Sequence, residues 1–208
     1  MNHLAEIPRR LATWLWRIRH RRGYGIHSPF AFGLVTGVIY ERGAYYAYAP
    51  LRATRASCRC PLRERDDRLM LRLANASGAR TAIVWGCDTG VTLAYLRAGR
   101  PSCRFRHCPA TDRPEAFAGA VSELGGIVDL LYIDDARHWP DIFRTAIAAA
   151  GPQAYFIVRG IHRTRHDLNA WRTLTADSRV RVTFDLYDFG IACFEARFNK
   201  ENYVINYF

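Results

Sequence analysis

The sequence predicts an α/β fold with a mainly parallel sheet that ends in an antiparallel β-hairpin. An apolar run at 81–85 is followed by Gly86, Gly90 and a helical pattern, which is the strand, turn and helix that open a doubly wound domain. Apolar strand-like runs then alternate with helical patterns through most of the remaining chain. Finally, 179–186 and 190–195 alternate apolar and polar residues with a period of two, which is typical of a hairpin.

Two parts of the chain differ in pattern. Residues 1–76 are expected to form a helical extension that packs on the core, and residues 77–208 the α/β core. Within the extension, 43–60 has little periodicity and is expected to be a loop or linker. The helices expected in the extension are 8–22, 29–40, which Ser28 would cap, and 62–76, which Gly78 would end.

The first of these helices is amphipathic. Leu11, Trp14, Leu15 and Ile18 fall at helical spacing, and most of the arginines lie elsewhere on the helical wheel. Such a stripe docks on its own domain or on a second subunit, which would give a homodimer through the N-terminal helices. An arginine- and tryptophan-rich helix can also lie on a membrane surface. In the helix 62–76, the charged residues are expected to be largely solvated.

The core elements follow from apolar runs, periodicity and glycine or proline punctuation. The expected strands are 81–85, 102–107, 128–134, 154–159, 179–186, 190–195 and 203–208. The expected helices are 91–97, 114–124, 140–150 and 165–174.

The charge is large and unevenly distributed. The net charge is +11, and every basic residue except Lys200 is arginine. Residues 1–72 carry 14 arginines and 5 acidic residues, a net +9. That half could face nucleic acid, anionic lipid or an acidic partner, although no nucleic-acid-binding motif is present. Arginine suits phosphate and carboxylate recognition, but genome-wide codon bias gives the same composition.

The composition excludes a disordered chain and a disulfide scaffold. Half of the residues are hydrophobic, and the six cysteines occur in a chain of 208 residues without a secretory signal. The apolar N-terminal stretch is interrupted by arginines well short of a membrane-spanning length. We therefore expect a cytoplasmic protein with reduced thiols. Cys58 and Cys60, or Cys103 and Cys108, miss the usual zinc spacing, and no metal site is expected.

Three segments carry a resemblance to a known family. The segment GYGIHSPFAFGLVTGVIYE at 23–41 resembles the G-H-G-V-H-S-P-F segment of a bacterial family related to the small-molecule O-methyltransferases. VDLLYIDDARHW at 128–139 resembles its D-L-L-F-I-D-G-x-H, and 181–208 resembles its C-terminal hairpin and tail. The resemblance implies the Rossmann-like class I fold of S-adenosylmethionine-dependent methyltransferases, and covers 23–41 and 66–208.

The resemblance also assigns roles to residues. It implies that Gly86 and Gly90 approach the amino-acid part of S-adenosylmethionine. It places Asp134 where the methionine end of the cofactor meets the acceptor, outside the carboxyl ends of the strands. Asp88, inside the glycine turn, is a further candidate cofactor contact. His162 corresponds to a family histidine and is a candidate base, the alternative being a residue that anchors its loop.

The chain departs from the family at several of these positions. Val84 stands where the family has an acid in the first strand, and no carboxylate is present near Cys108, where an acid would hold the ribose. Arg159 and Gly160 replace an aspartate pair that helps to hold a divalent ion in metal-dependent relatives. Only one helix separates the second and third strands, so one edge strand is expected to be lacking.

These observations lead to one function and two alternatives. The first is S-adenosylmethionine-dependent, metal-independent methyl transfer to an unidentified small-molecule acceptor. The second is a catalytically degenerate protein that keeps the fold for binding or oligomerisation. The third, which depends on the basic N-terminal half, is a nucleic-acid-associated protein.

Overall fold

The fold is described from a computed structural model that covers residues 11, 13–18, 23–58, 62–86 and 90–207. The helices are α1 (Pro29–Leu34, continued by a π-helical turn Val35–Ile39), α2 (Tyr48–Ala56), α3 (Glu64–Ser77), α4 (Val91–Gly99), α5 (Ala116–Glu123), α6 (Trp139–Ile147) and α7 (Arg165–Thr175). The strands are β1 (Thr81–Gly86), β2 (Arg104–Pro109), β3 (Val128–Asp134), β4 (Ala150–Arg159), β5 (Val182–Asp185), β6 (Phe189–Cys193) and β7 (Glu201–Val204).

The seven strands form one sheet in the order β2-β1-β3-β4-β6-β5-β7. The first four strands in this order are parallel, and β6 runs antiparallel to both of its neighbours, β4 and β5. The last strand, β7, pairs parallel with β5 at the edge. The predicted mainly parallel sheet with a C-terminal hairpin is confirmed.

Helices cover both faces of the sheet because each central strand is apolar on both sides. On β1, Ala82 and Val84 point into a core shared with α1, α3 and α4. Ile83 and Trp85 point into the opposite core, which α5, α6 and α7 complete. This is the doubly wound arrangement that the alternating pattern predicted.

The two edges of the sheet have different origins. Residues 110–127, between β2 and β3, contain only the helix α5, so β2 is an edge strand and the expected lack of a further strand there is confirmed. At the other edge, β7 begins two residues before the predicted strand 203–208.

The segment 43–60 was expected to be a loop, and this expectation is wrong. It contains the nine-residue helix α2, in which Tyr48 and Leu51 pack against Leu71, Val91 and Tyr95. The start of the helix carries no side-chain cap, so the sequence offers no start signal there. Packing against α3 and α4 supplies the stability that local signals do not.

The N-terminal helix docks through a charge and not through its apolar stripe. Residues 11 and 13–16 are helical, and Leu11, Leu15 and Ile18 are about half exposed, at 57%, 55% and 45%. Arg17 is instead buried and pairs with Asp185 at 3.0 Å. Docking on its own domain is therefore wrong for these three residues of the stripe, whereas the fourth, Trp14, is half-buried beside Asn206 and Tyr207. Docking of the exposed residues on a second subunit or a membrane surface stays a prediction. The rest of the expected helix 8–22 lies outside the described residues.

Three of the described cysteines, Cys103, Cys108 and Cys193, are buried free thiols, and Cys58 is exposed. Cys103 and Cys108 belong to the cores on opposite faces of the sheet, so they do not form a common zinc site. Within the described ranges, no helix is long and apolar enough to cross a membrane.

Gly99→Ala should destabilise the fold, because α3 and α4 are in very close contact there. A Cβ at Gly99 would lie 2.1 Å from the carbonyl oxygen of Leu71, a backbone atom that cannot move without shifting α3. We expect a loss of about 1–3 kcal/mol in the free energy of unfolding, measured by urea denaturation.

Gly119→Ala is the matched control for this substitution. Gly119 lies in α5, and a Cβ there would meet no atom within 4 Å. Replacing a helical glycine with alanine should then stabilise by roughly 0.5–1 kcal/mol. Equal effects at the two positions would contradict the close packing of α3 on α4.

Candidate functional site at the switch point of the sheet

The strand order reverses at β1, which makes its carboxyl end the expected ligand crevice. The chain passes from β1 outward to β2, and then returns to β3 on the other side of β1. Ligands of open α/β sheets bind at such a switch point, outside the carboxyl ends of the strands. The last residues of β1 and β3, Gly86 and Asp134, are direct partners in the register. The structure therefore brings together two of the predicted site residues.

Gly86 is required for the close approach of β1 and β3. Its φ is +112°, and a Cβ there would lie 2.4 Å from the carbonyl oxygen of Asp134. Only glycine fits this conformation and this contact without displacing backbone. The packing alone explains the residue type, so Gly86 shapes the crevice whether or not it touches a ligand.

Gly90 begins the described chain after the glycine turn. It precedes α4 with a φ of +80°, and a Cβ there would meet no atom of the described residues within 4 Å. The first N–H groups of α4 have no partners within the helix, and the helix dipole gives this end a partial positive charge. An anionic group can therefore be received at this end of α4. Asp88, the other candidate in the turn, lies outside the described residues.

Two arginines, one at the end of β4 and one after it, hold Asp134. Its carboxylate is about 5% exposed and accepts from Arg159 Nη1 at 2.6 Å and from Arg163 Nη2 at 3.1 Å. Gly160, with a φ of +84°, makes room for this arrangement, because a Cβ there would lie 2.3 Å from Arg163 Nε. Two guanidinium groups therefore face this one carboxylate at the mouth of the crevice.

A second buried carboxylate lies between α3 and the start of α4. Asp67 is fully buried, accepts from Thr92 Oγ1 at 2.9 Å and pairs with Arg55. Burial raises the pKa of its carboxyl from the ordinary 3.8 to about 6, against the opposing hydrogen bond from Thr92 and the charge of Arg55. The sequence did not single out Asp67.

The expectation that the charged residues of α3 are largely solvated is wrong for three of them. Asp66, Asp67 and Arg72 are 3%, 0% and 6% exposed. Their burial is tolerated because arginines or backbone carbonyls form hydrogen bonds with their charged groups. The periodicity of hydrophobic residues in the sequence does not reveal such partners.

Two tyrosine hydroxyls in this region have no hydrogen-bond partner among the described residues. They belong to Tyr132 on β3 and Tyr95 on α4, whose side chains are at most 1% exposed. Burial raises the pKa of Tyr132, and the nearby carboxylate of Asp134 adds to the rise. Buried hydroxyls of this kind normally find a partner, so water or a ligand is expected to complete them.

His162 is directed towards β5. Its Nε2 lies 2.7 Å from Asp185 Oδ2 and 3.2 Å from Arg17, and its ring stacks on Tyr187 at 4.9 Å. The carboxylate of Asp185 has a lowered pKa because the hydrogen bond from His162 and the charge of Arg17 outweigh its burial. These contacts tie the loop after β4 to the end of β5.

The end of β2 carries no carboxylate. Cys108 and Pro109 pair with Trp85 and Gly86, so they lie beside the crevice. This is the position at which the sequence lacks the acid that would bind the ribose. Burial raises the pKa of the Cys108 thiol to about 11, which leaves it un-ionised at neutral pH. Across the described part of the chain, no group of three or more histidine, cysteine or acidic residues is arranged to hold a metal ion.

Comparison with known proteins agrees with this architecture. Neither a scan against protein-family models nor a search of curated protein sequences finds a match. Among solved structures, an O-methyltransferase from Bacillus cereus in complex with SAH has a TM-score of 0.56 at 14% identity, covering 73% of this chain and 92% of that chain. Its fold is that of the class I methyltransferases.

Two further structures give the same result. Cofactor-bound Rv0187 from MTB has a TM-score of 0.53 at 18% identity and covers 74% of this chain and 91% of that chain. The O-methyltransferase TomG from Streptomyces achromogenes, in complex with SAM, has a TM-score of 0.52 at 16% identity, with 79% and 94% covered. At these identities the likeness establishes the methyltransferase fold of this chain.

Asp67→Asn should remove one component of the pH dependence of stability. With a pKa of about 6 in the folded state, Asp67 holds its proton more tightly there than in the unfolded chain. The free energy of unfolding of the wild type should therefore fall, relative to the variant, as the pH rises from about 4 to about 6. The expected difference is about 3 kcal/mol in total, with no further change above that range.

Urea denaturation across this pH range measures the difference. Asp141→Asn is the control, because Asp141 is 59% exposed and lies on α6. If wild type and Asp67→Asn changed in parallel with pH, the raised pKa of Asp67 would be refuted.

Proposed function

We propose that this chain is an S-adenosylmethionine-dependent methyltransferase that acts on a small-molecule acceptor without a metal ion. The observation that carries the proposal is the crevice at the switch point, where Gly86 and Asp134 are paired at the carboxyl ends of β1 and β3 and α4 begins just after Gly90. The similar structures with bound SAH or SAM share this fold and support the proposal.

The residues at the crevice fit such a cofactor. The N–H groups at the start of α4, which follows Gly90, can receive its carboxylate. Asp134 uses two of the roughly four acceptor positions of a carboxylate for its arginines, so acceptor capacity remains for a ligand. The unpartnered hydroxyl of Tyr132 offers a further polar contact close to Asp134.

Methyl transfer then requires mainly positioning. A bound S-adenosylmethionine would supply a methyl group on a sulfonium, open to in-line displacement by the acceptor. This chain contributes by holding both reactants at the mouth of β1 and β3 and by excluding water. His162 stays a candidate base, but its bond to Asp185 favours the alternative role of anchoring the loop after β4.

Metal independence is supported by the charge at Asp134. Arg159 and Arg163 place two guanidinium groups against this carboxylate. A divalent cation at the same carboxylate would meet that positive charge at close range, which disfavours its binding.

A second candidate function is a binding module without catalysis. It is favoured by the end of β2, where Cys108 and Pro109 replace the acid expected at the ribose. Loss of one charge-assisted hydrogen bond weakens binding by roughly tenfold to a hundredfold. Further losses would leave the fold with a cofactor affinity too low for turnover.

Isothermal titration with S-adenosylmethionine and S-adenosylhomocysteine separates the two functions. We expect the wild type to bind in the micromolar range and Asp134→Asn to bind at least about tenfold more weakly, because its carboxylate is lost. Asp141→Asn, which removes an exposed acid from α6, should bind like the wild type.

Circular dichroism establishes that each variant is folded. Absence of heat from folded wild type at high ligand concentration would exclude the cofactor site and favour the binding module. Unchanged binding by Asp134→Asn would refute the assigned position of the site.

A further inference from the structure

The excess of arginine in the N-terminal half converges on a cavity that the proposed function does not use. The cavity has a volume of about 330 Å³ and lies between the end of the π-helical turn, α3 and the chain that follows β7. Its described lining contains four arginines and one glutamate, namely Arg42, Arg65, Arg68, Arg72 and Glu41. Three of these arginines, Arg65, Arg68 and Arg72, lie at helical spacing on one face of α3.

Arg72 is a buried cation without a carboxylate partner among the described residues. It is 6% exposed, and its guanidinium donates to Val38 O at 2.7 Å, Tyr48 Oη at 3.2 Å and Ile39 O at 3.4 Å. All three acceptors are neutral. The two carbonyls end the π-helical turn and stabilise a cation in part, but they do not cancel its charge. A buried charge without a counter-ion is costly, so this site favours an anion.

The carboxylates near the cavity do not neutralise it. Glu64 accepts from Arg68 at 2.5 Å and is shared with Arg52 at 3.1 Å. Asp66 likewise accepts from Arg65 at 3.2 Å and is shared with Arg63 at 2.8 Å. Each of these carboxylates is therefore shared by two guanidinium groups. Because two positive charges face each negative charge, the lining keeps an excess of positive charge.

Donors remain available at the cavity. Arg42 is exposed and has no hydrogen bond or ion pair with a described residue, so its guanidinium can bind a ligand. Glu41, the acid in the lining, accepts from the backbone N–H of Gly43.

Aromatic rings hold two of the guanidinium groups in place. Arg68 lies over the ring of Tyr48 at 4.6 Å, and Arg65 lies over that of Tyr207 at 4.5 Å. Stacking of this kind fixes the planes of the guanidinium groups and lowers the entropy lost when they bind a ligand.

We propose that this cavity binds the phosphate group of a small phosphorylated molecule. Several planar guanidinium groups around one cavity match the charge and the acceptor oxygens of a phosphate better than those of a single carboxylate. The volume is in the range of small-molecule sites, which favours a small ligand over a nucleic-acid duplex. The proposal does not depend on cofactor binding at the switch point.

Isothermal titration with inorganic pyrophosphate at fixed ionic strength, without cofactor, tests the proposal. We expect saturable binding to the wild type and no binding of acetate under the same conditions. The double variant Arg42→Gln/Arg68→Gln should bind at least about tenfold more weakly, because two guanidinium contacts are lost. The control Arg80→Gln/Arg113→Gln removes the same charge from exposed positions that do not line the cavity and should bind like the wild type.

Arg42→Gln alone is the second variant, because its side chain supports no described contact and the fold should be unaffected. It should also weaken pyrophosphate binding, and unchanged binding would count against the site. Absence of saturable binding to the wild type, or equal weakening in the double variant and its control, would overturn the proposal. So would tight binding of duplex DNA that pyrophosphate cannot displace, since this would indicate a nucleic-acid surface.

Discussion

Arginine pairing holds the N-terminal segment and α3 against the sheet, and the cavity beside α3 depends on it. Arg17 reaches Asp185 at the end of β5, and Arg63 reaches Asp188 in the following turn at 2.9 Å. Arg65 donates to the carbonyl of Tyr207 at 3.2 Å. Removing one partner from a buried pair leaves the other charge buried and unpaired, which is strongly destabilising. The extension and the core therefore stabilise each other.

The sequence predicted the structure correctly where apolar runs and glycine-containing turns determine it. The strands β1 and β3 were found within a residue, and with them Gly86 and Asp134, because the carboxyl ends of parallel strands meet at one edge. The sequence did not predict the burial of charged residues, because ion pairs between residues far apart in the chain determine it. Arg17 was placed on the polar face and is buried, since its partner lies 168 residues away. Asp67 was missed for the same reason, because its partners come from α2 and α4.

The helix α3 serves both candidate sites through neighbouring residues. Asp67 faces the start of α4, where the proposed cofactor would bind, and Arg68 lines the cavity with the excess of arginine. A shift of α3 that alters one of these places must therefore alter the other. The close contact of Gly99 with Leu71 limits such movement, because the two helices pack without space between their backbones.

The cavity beside α3 is assembled from segments that lie far apart in the sequence. Asn206 and Tyr207 form one wall, and Trp14, whose carbonyl oxygen accepts from Asn206 at 3.4 Å, forms another. Because translation proceeds from the N-terminus, α3 is made before the chain that follows β7. The cavity is therefore complete only once β7 has joined the sheet and has brought Asn206 and Tyr207 to α3.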